Sequence, residues 1–190
     1  MAQHSDAGGL ALPALDPAPR VAIVLAPYYR SIADDLVAGA RAVLDRARAS
    51  VEVIEVPGAL EIAPAVRLAA EGGAFEGFVA LGCVIRGETT HYETVCEESA
   101  RGLTLLGVGV GLGRGLAIGN GILTVETVAQ AEDRADPARQ DKGGGAAEAC
   151  LHLIALARRF RPRPAGEERA PGRSGAQAEF LMAGLAEGER

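Results

Sequence analysis

Residues 77–102 read GFVALGCVIRGETTHYETVCEESARG, and a change of rhythm inside this stretch decides the fold. Residues 78–85 form a near-continuous apolar run, partly β-branched and bounded by glycines, which is the pattern of a strand buried on both faces. From Tyr92 the spacing turns helical: Tyr92, Val95, Cys96, Ser99, Ala100 and Leu103 recur at three and four, with Glu93, Glu97, Glu98 and Arg101 between them. The polar hexad Arg86, Gly87, Glu88, Thr89, Thr90, His91 therefore falls where a buried strand ends and a helix begins. Open α/β folds place their chemistry at such junctions, because strand carboxyl ends and helix amino ends face one crevice. Unpaired N–H groups and the helix dipole favour an anion there, and Gly87 lets the backbone come close to it. Thr89 or Thr90 is placed to cap the helix and to donate to a phosphate oxygen. His91 brings an imidazole to the first turn, the side chain suited to moving protons at neutral pH. Taken alone, such a turn is more often an ordinary capped helix with a surface histidine; the rest of the chain shifts the balance.

The totals narrow the choices. A chain of 190 residues, 48% hydrophobic, is long enough for one substantial core. The expected organisation is a flexible arm over residues 1–18, one domain over 19–163 and a disordered tail over 164–190. A net charge of −6 argues against sequence-independent binding of nucleic acid, and 4% aromatics against base-stacking platforms. With no secretion signal and no long apolar span, the expectation is a soluble, cytoplasmic protein that does not bind membranes. Cys83, Cys96 and Cys150 are odd in number, widely spaced and in apolar surroundings, so reduced core thiols are expected. No C-x-x-C pair occurs, and His4, His91 and His152 are scattered, so no metal site is expected. Lys142 is the single lysine among nineteen basic residues.

Outward from the central stretch, residues 20–26 (RVAIVLA) read as a second strand buried on both faces, ended by Pro27. Ser31 and Asp34 form an S-x-x-D pair that predicts a capped helix start, with Ile32, Leu36, Val37, Ala40, Val43 and Leu44 as its buried stripe. Tyr28 and Tyr29 lie on the loop between, where one of them is placed to cover a flat ring. Residues 51–56 (VEVIEV) predict a short strand stopped at Pro57 and Gly58, followed by a helix over 59–70 with Pro64 in its opening turns and Glu61 just inside its start. The glycine-dense segment 103–121 fits neither a G-x-G-x-x-G nor a G-x-x-x-x-G-K register, which excludes dinucleotide and P-loop readings. A fourth strand is expected over about 116–124, a helix capped or entered at Thr127, and a last helix from Lys142 with Ala146, Ala149, Cys150, Leu153, Ile154 and Ala157 as its apolar set. The order β-α-β-α-β-α-β-α-α implies a parallel sheet covered on both faces by right-handed crossovers. A phosphoacceptor receiver is excluded, since Asp34 and Asp35 lie inside the first helix and the third strand ends without an aspartate.

Four segments in this order resemble the lumazine synthase family: VPGALEI at 56–62, ALGCVIRGETTHY at 80–92, GILTVETVAQAEDRA at 121–135 and DKGGGAA at 141–147. The resemblance implies a flavodoxin-like three-layer αβα sandwich with a four-stranded parallel sheet of order 2-1-3-4. It also implies condensation of 5-amino-6-(D-ribitylamino)uracil with 3,4-dihydroxy-2-butanone 4-phosphate to 6,7-dimethyl-8-ribityllumazine, phosphate and water, without metal or organic cofactor. Carried over position by position, Tyr28 stacks on the pyrimidine, and Ala59, Leu60 and Glu61 hold the ribityl chain. Val84, Ile85 and Arg86 approach the ring, while Gly87, Glu88 and Thr89 form the phosphate turn. His91 is the catalytic histidine, with Glu88 oriented towards either His91 or Arg86. A neighbouring subunit supplies Arg134 to the phosphate and Lys142 near the uracil. Asn120 stands where the family often has phenylalanine, so one wall is more polar here, and Pro27 stands where it often has arginine, which changes the contact flanking the Tyr28 stacker. The resemblance implies a homo-oligomer with active sites at subunit interfaces, and the segment before the last helix favours a pentamer or decamer over a sixty-subunit shell. A non-catalytic carrier of a ribityl-bearing ring on the same scaffold is the rival reading.

Overall fold

The computed structural model describes residues 10–161. Its core is a four-stranded parallel sheet of β1 (Arg20–Leu25), β2 (Ser50–Glu55), β3 (Gly77–Ile85) and β4 (Ala117–Val125), in the order β2-β1-β3-β4. The helices are α1 (Arg30–Arg46), α2 (Ala59–Glu71), α3 (His91–Gly107), α4 (Val128–Ala135) and α5 (Lys142–Phe160). This is the flavodoxin-like sandwich with the strand order that the family resemblance implied.

The two central strands carry the apolar runs because both their faces are covered. All but the first residue of β1 are buried, as are the first seven residues of β3. On one face Ile23, Leu81 and Val79 meet Leu36 and Leu44 of α1 and Leu151 and Ile154 of α5. On the other, Val24, Phe78 and Ala80 meet Ile62 and Val66 of α2 and Leu103 and Leu106 of α3. The edge strand β4 alternates between buried and more exposed positions. In register, Ile85 of β3 sits opposite Val125 of β4, so both strands end at the same level.

Residues 10–18 lie against this body, with Leu15 in the α1/α5 core and Pro17 accepting at its carbonyl oxygen from Arg158 Nη1 at 2.7 Å. Residues 1–9 and 162–190, the first half of the expected arm and the whole expected tail among them, lie outside the described residues.

Four local expectations need correction. The α1 helix starts at Arg30 with Tyr29 as its N-cap and no side-chain capping bond, so Ser31 is already helical and the S-x-x-D pair is not a capping box. Thr90 is the N-cap of α3 but makes no side-chain cap either, because its own backbone is already helical (φ −68°, ψ 0°). Pro64 is the sixth residue of α2, past the N–H groups that a helix start leaves free, and so removes an internal bond. On α5, Ala149, Leu153 and Ala157 are exposed, and Gly143, Gly144, Ala147 and Leu151 are buried with Ala146, Cys150 and Ile154. The reason is close backbone approach. A Cβ on Gly143 would lie 2.1 Å from the Leu36 carbonyl oxygen, and one on Gly119 would lie 1.8 Å from that of Ala146. The glycines of DKGGG are thus what draws α5 against α1, and an apolar-residue count cannot see a buried face made of glycine.

Candidate functional site

The strand ends and helix starts converge on a cleft of about 400 Å³. From β1 and its loop come Ala26, Tyr28 and Tyr29; from the start of α2 come Gly58, Ala59, Leu60 and Glu61. Cys83, Val84 and Ile85 line it from the end of β3, and His91 and Val95 from the first turns of α3. Seven expected site residues therefore share one cleft: Tyr28, Ala59, Leu60, Glu61, Val84, Ile85 and His91. Tyr28 is 77% exposed and meets Tyr29 edge to face, with ring centroids 5.0 Å apart. Its ring is therefore presented to whatever occupies the cleft mouth. Tyr29 packs against the core, and its phenol is raised above its ordinary value by burial and by Tyr28.

Gly87, Glu88, Thr89 and Thr90 form the exposed turn between β3 and α3, beside His91. Without a side chain capping α3 at Thr90, the first N–H groups of the helix are open to an anion. Arg86 is engaged elsewhere: its Nε donates to Glu126 Oε2 at 2.5 Å and its Nη1 donates to Glu93 Oε1. Its guanidinium carbon lies 4.2 Å from the centroid of the Tyr92 ring. Those two carboxylates hold the guanidinium well above its ordinary value, and Arg86 in turn holds Glu93 below the usual carboxylate range. Of the two partners expected for Glu88, Arg86 instead gives its fork to Glu93 and Glu126.

Asn120, Arg134 and Lys142 line a second cleft, on the open side of β4 between α4 and α5. Asn120 Oδ1 accepts from the Ile122 N–H at 3.0 Å, which satisfies a donor on the unpaired edge of the sheet. Thr127 caps α4 by accepting from Gln130 N at 3.3 Å, as its sequence position suggested. Arg134, in the last turn of α4, donates from Nη1 to the Gln130 carbonyl at 3.1 Å, which fixes the direction of a fork with further donors. Asp141 has positive φ (43°) and accepts at Oδ1 from Gly144 N at 2.9 Å, which sets Lys142 at the start of α5. No residue lines both clefts.

Tyr29, Cys83 and Val95 were not among the expected site residues. Tyr29 was visible as one of a pair, whereas Cys83 read as core. The residue is both: buried at 9% exposure and among the residues lining the cleft, with a thiol pushed up to about 11 by burial, so it stays protonated at neutral pH. Glu93 and Glu126 also escaped the sequence reading. Glu126 reaches Arg86 only because β3 and β4 run in register to their last residues, information no local pattern carries.

A doubly covered parallel sheet whose strand ends, helix starts and one imidazole share a cleft defines a small-molecule site of the flavodoxin-like class. Among the described residues no helix is long and apolar enough to cross a membrane. The family model for 6,7-dimethyl-8-ribityllumazine synthase matches residues 18–158, and the chain belongs to that family. A 6,7-dimethyl-8-ribityllumazine synthase of Jannaschia sp. is 56% identical over 160 residues, covering 84% of this chain and 86% of the relative. One from Erythrobacter litoralis is 55% identical over 74% of this chain and 97% of its own length, and one from Methylocella silvestris 58% identical over 72% and 84%.

Proposed function

We propose that this chain condenses 5-amino-6-(D-ribitylamino)uracil with 3,4-dihydroxy-2-butanone 4-phosphate, giving 6,7-dimethyl-8-ribityllumazine, phosphate and water, in riboflavin biosynthesis. The observation that carries the reading beyond the family is the division of the expected site between two clefts of one chain. His91 and the ring- and ribityl-binding residues lie in one, and Arg134, Lys142 and Asn120 in the other. A site needing both sets is completed when the second cleft of a neighbouring copy faces the first. The family resemblance, rather than the clefts, supplies the rest of the proposal: a pentamer or decamer in the cytoplasm, a compartment that suits three unpaired cysteines.

In the completed site Tyr28 covers the pyrimidine, Val84 and Ile85 border it, and Glu61 with Ala59 and Leu60 receives the ribityl chain. The 87–90 turn and the start of α3 bind the phosphate, with Arg134 from the neighbour closing over it as a fork suited to a dianion. Lys142 and Asn120 of the neighbour complete the ring's surroundings. The amine attacks the ketone, water leaves to give a Schiff base, phosphate departs, and ring closure expels a second water. Holding the two substrates together supplies much of the rate. His91 moves protons during Schiff-base formation and elimination, and the turn and Arg134 stabilise the departing phosphate. Mixing the purified protein with both substrates and recording lumazine fluorescence tests the reaction. A protein that binds the product but forms none from the substrates is a carrier, and the proposal is then wrong.

A further inference from the structure

We infer that Arg86 is a positioning residue that ties the two half-sites of one subunit together, rather than a ligand of the pyrimidine. The inference rests on the reaction proposed above for its kinetic consequences. Arg86 does not line the His91 cleft. Its fork instead bridges two elements, Glu93 in the first turn of α3 and Glu126 in the link between β4 and α4. The Tyr92 ring covers its face, and its backbone N–H donates to the Val125 carbonyl at 3.0 Å.

Each end of the bridge reaches a functional residue. Glu93 lies two residues after His91 in the same helical turn. Its Oε2 is buried without a protein partner, although the side chain as a whole is about half exposed, and its other oxygen pairs with Arg86. At the other end, Glu126 N donates to Gln130 Oε1 at 2.9 Å, Gln130 N donates to the Thr127 cap, and the Gln130 carbonyl accepts from Arg134 Nη1. A series of hydrogen bonds, joined through the residues Glu126 and Gln130 themselves, thus links the start of α3 to the fork of Arg134. Two carboxylates on separate elements need a planar group with several donors; an ammonium offers one point charge. In a ring where each subunit gives His91 to one site and Arg134 to the next, Arg86 sets the geometry of both.

The test uses the full chain with Arg86→Gln, Arg86→Lys and Glu126→Gln. With both substrates, kcat of Arg86→Gln falls about tenfold or more while the KM for the ribitylaminouracil stays within about twofold, since misplaced groups cost turnover before binding. Arg86→Lys does not restore turnover, and adding Glu126→Gln to Arg86→Gln costs little more, because the pair acts as a unit. Amide hydrogen exchange speeds up in both 87–91 and 128–134. A rise of about tenfold in the ribitylaminouracil KM at unchanged kcat would make Arg86 a ligand and overturn the inference. Wild-type kinetics in all variants, or exchange unchanged or raised in one segment only, would overturn it as well. Should Arg86→Gln not fold, Glu126→Gln carries both readouts. If the wild-type protein makes no lumazine, the reaction is misassigned, and the exchange measurement still judges the bridge by itself.

Discussion

His91 and Arg134 divide the proposed chemistry between proton movement and phosphate capture, so their replacements should fail differently. His91→Ala leaves both substrate pockets in place and removes one proton shuttle, which slows turnover by about 10²-fold or less. Arg134→Ala should instead raise the KM for the butanone phosphate, because it removes a fork from a dianion that must be bound before it can leave. Steady-state kinetics with each substrate varied in turn separates the two, and a His91→Ala variant with wild-type kcat would remove the histidine from the mechanism. The thiols define a second expectation at this scale. Burial pushes Cys83 up to about 11 and Cys150 up to about 12 from an ordinary 9.0. Above pH 9 the unfolded chain therefore releases these protons while the folded one keeps them. Stability is whole below that pH and falls as pH rises through the folded values. Urea midpoints measured from pH 8 to 11 should decline above 9, and Cys150→Ala, though less stable at pH 8, should decline less steeply.

The helices show what local pattern conveys and what it misses. Both buried strands, the Thr127 cap and the position of His91 at a strand-to-helix junction could be read from residue order alone, since each is set by neighbours in sequence. The buried face of α5 could not, because its contact with α1 and β4 is made through Gly143, Gly144 and Gly119, which carry no hydropathy signal. Nor could the partners of Arg86, which depend on the β3–β4 register. The three glycines of DKGGG make this testable. A methyl at Gly143 meets the Leu36 carbonyl at 2.1 Å, backbone that cannot step aside, so Gly143→Ala should destabilise by roughly 1–3 kcal/mol or more as α1 and α5 are forced apart. Two residues on, a Cβ at Gly145 would meet nothing of its own chain within 4 Å, and Gly145→Ala should stabilise the subunit by about 1 kcal/mol through helix propensity. Thermal unfolding of the two variants should move in opposite directions. A shift of the same sign in both would contradict the packing assigned to α5.

Across the whole molecule, the separation of His91 from Arg134 predicts how two crippled proteins behave together. His91→Ala and Arg134→Ala particles each lack one required group at every site. In a mixed ring, a site that takes its histidine from an Arg134→Ala subunit and its arginine from a His91→Ala subunit has both. A closed ring with head-to-tail contacts offers each subunit's two clefts to two different neighbours, so random mixing at equal ratio restores about one site in four. Co-expressed, purified as mixed particles and assayed with butanone phosphate well below the Arg134→Ala KM, the variants should therefore regain about a quarter of the wild-type rate, well above the average of the parents, with the mass of the wild-type oligomer. A site built within a single chain predicts the opposite: since every subunit carries one lesion, mixing gives the parental average at any ratio. The same experiment bears on the exposed apolar side chains near β4. Val108 is 72% exposed and Leu153 is 40% exposed, and both border a groove between α3 and α5 that includes Ile118. If the ring closes against this groove, replacing Val108 by Asp should lower the particle mass and abolish the regained turnover together, since a charge buried without a partner opposes association. Light scattering and kinetics on the same samples test that joint loss, and a Val108→Asp protein that keeps both would place the subunit contact elsewhere.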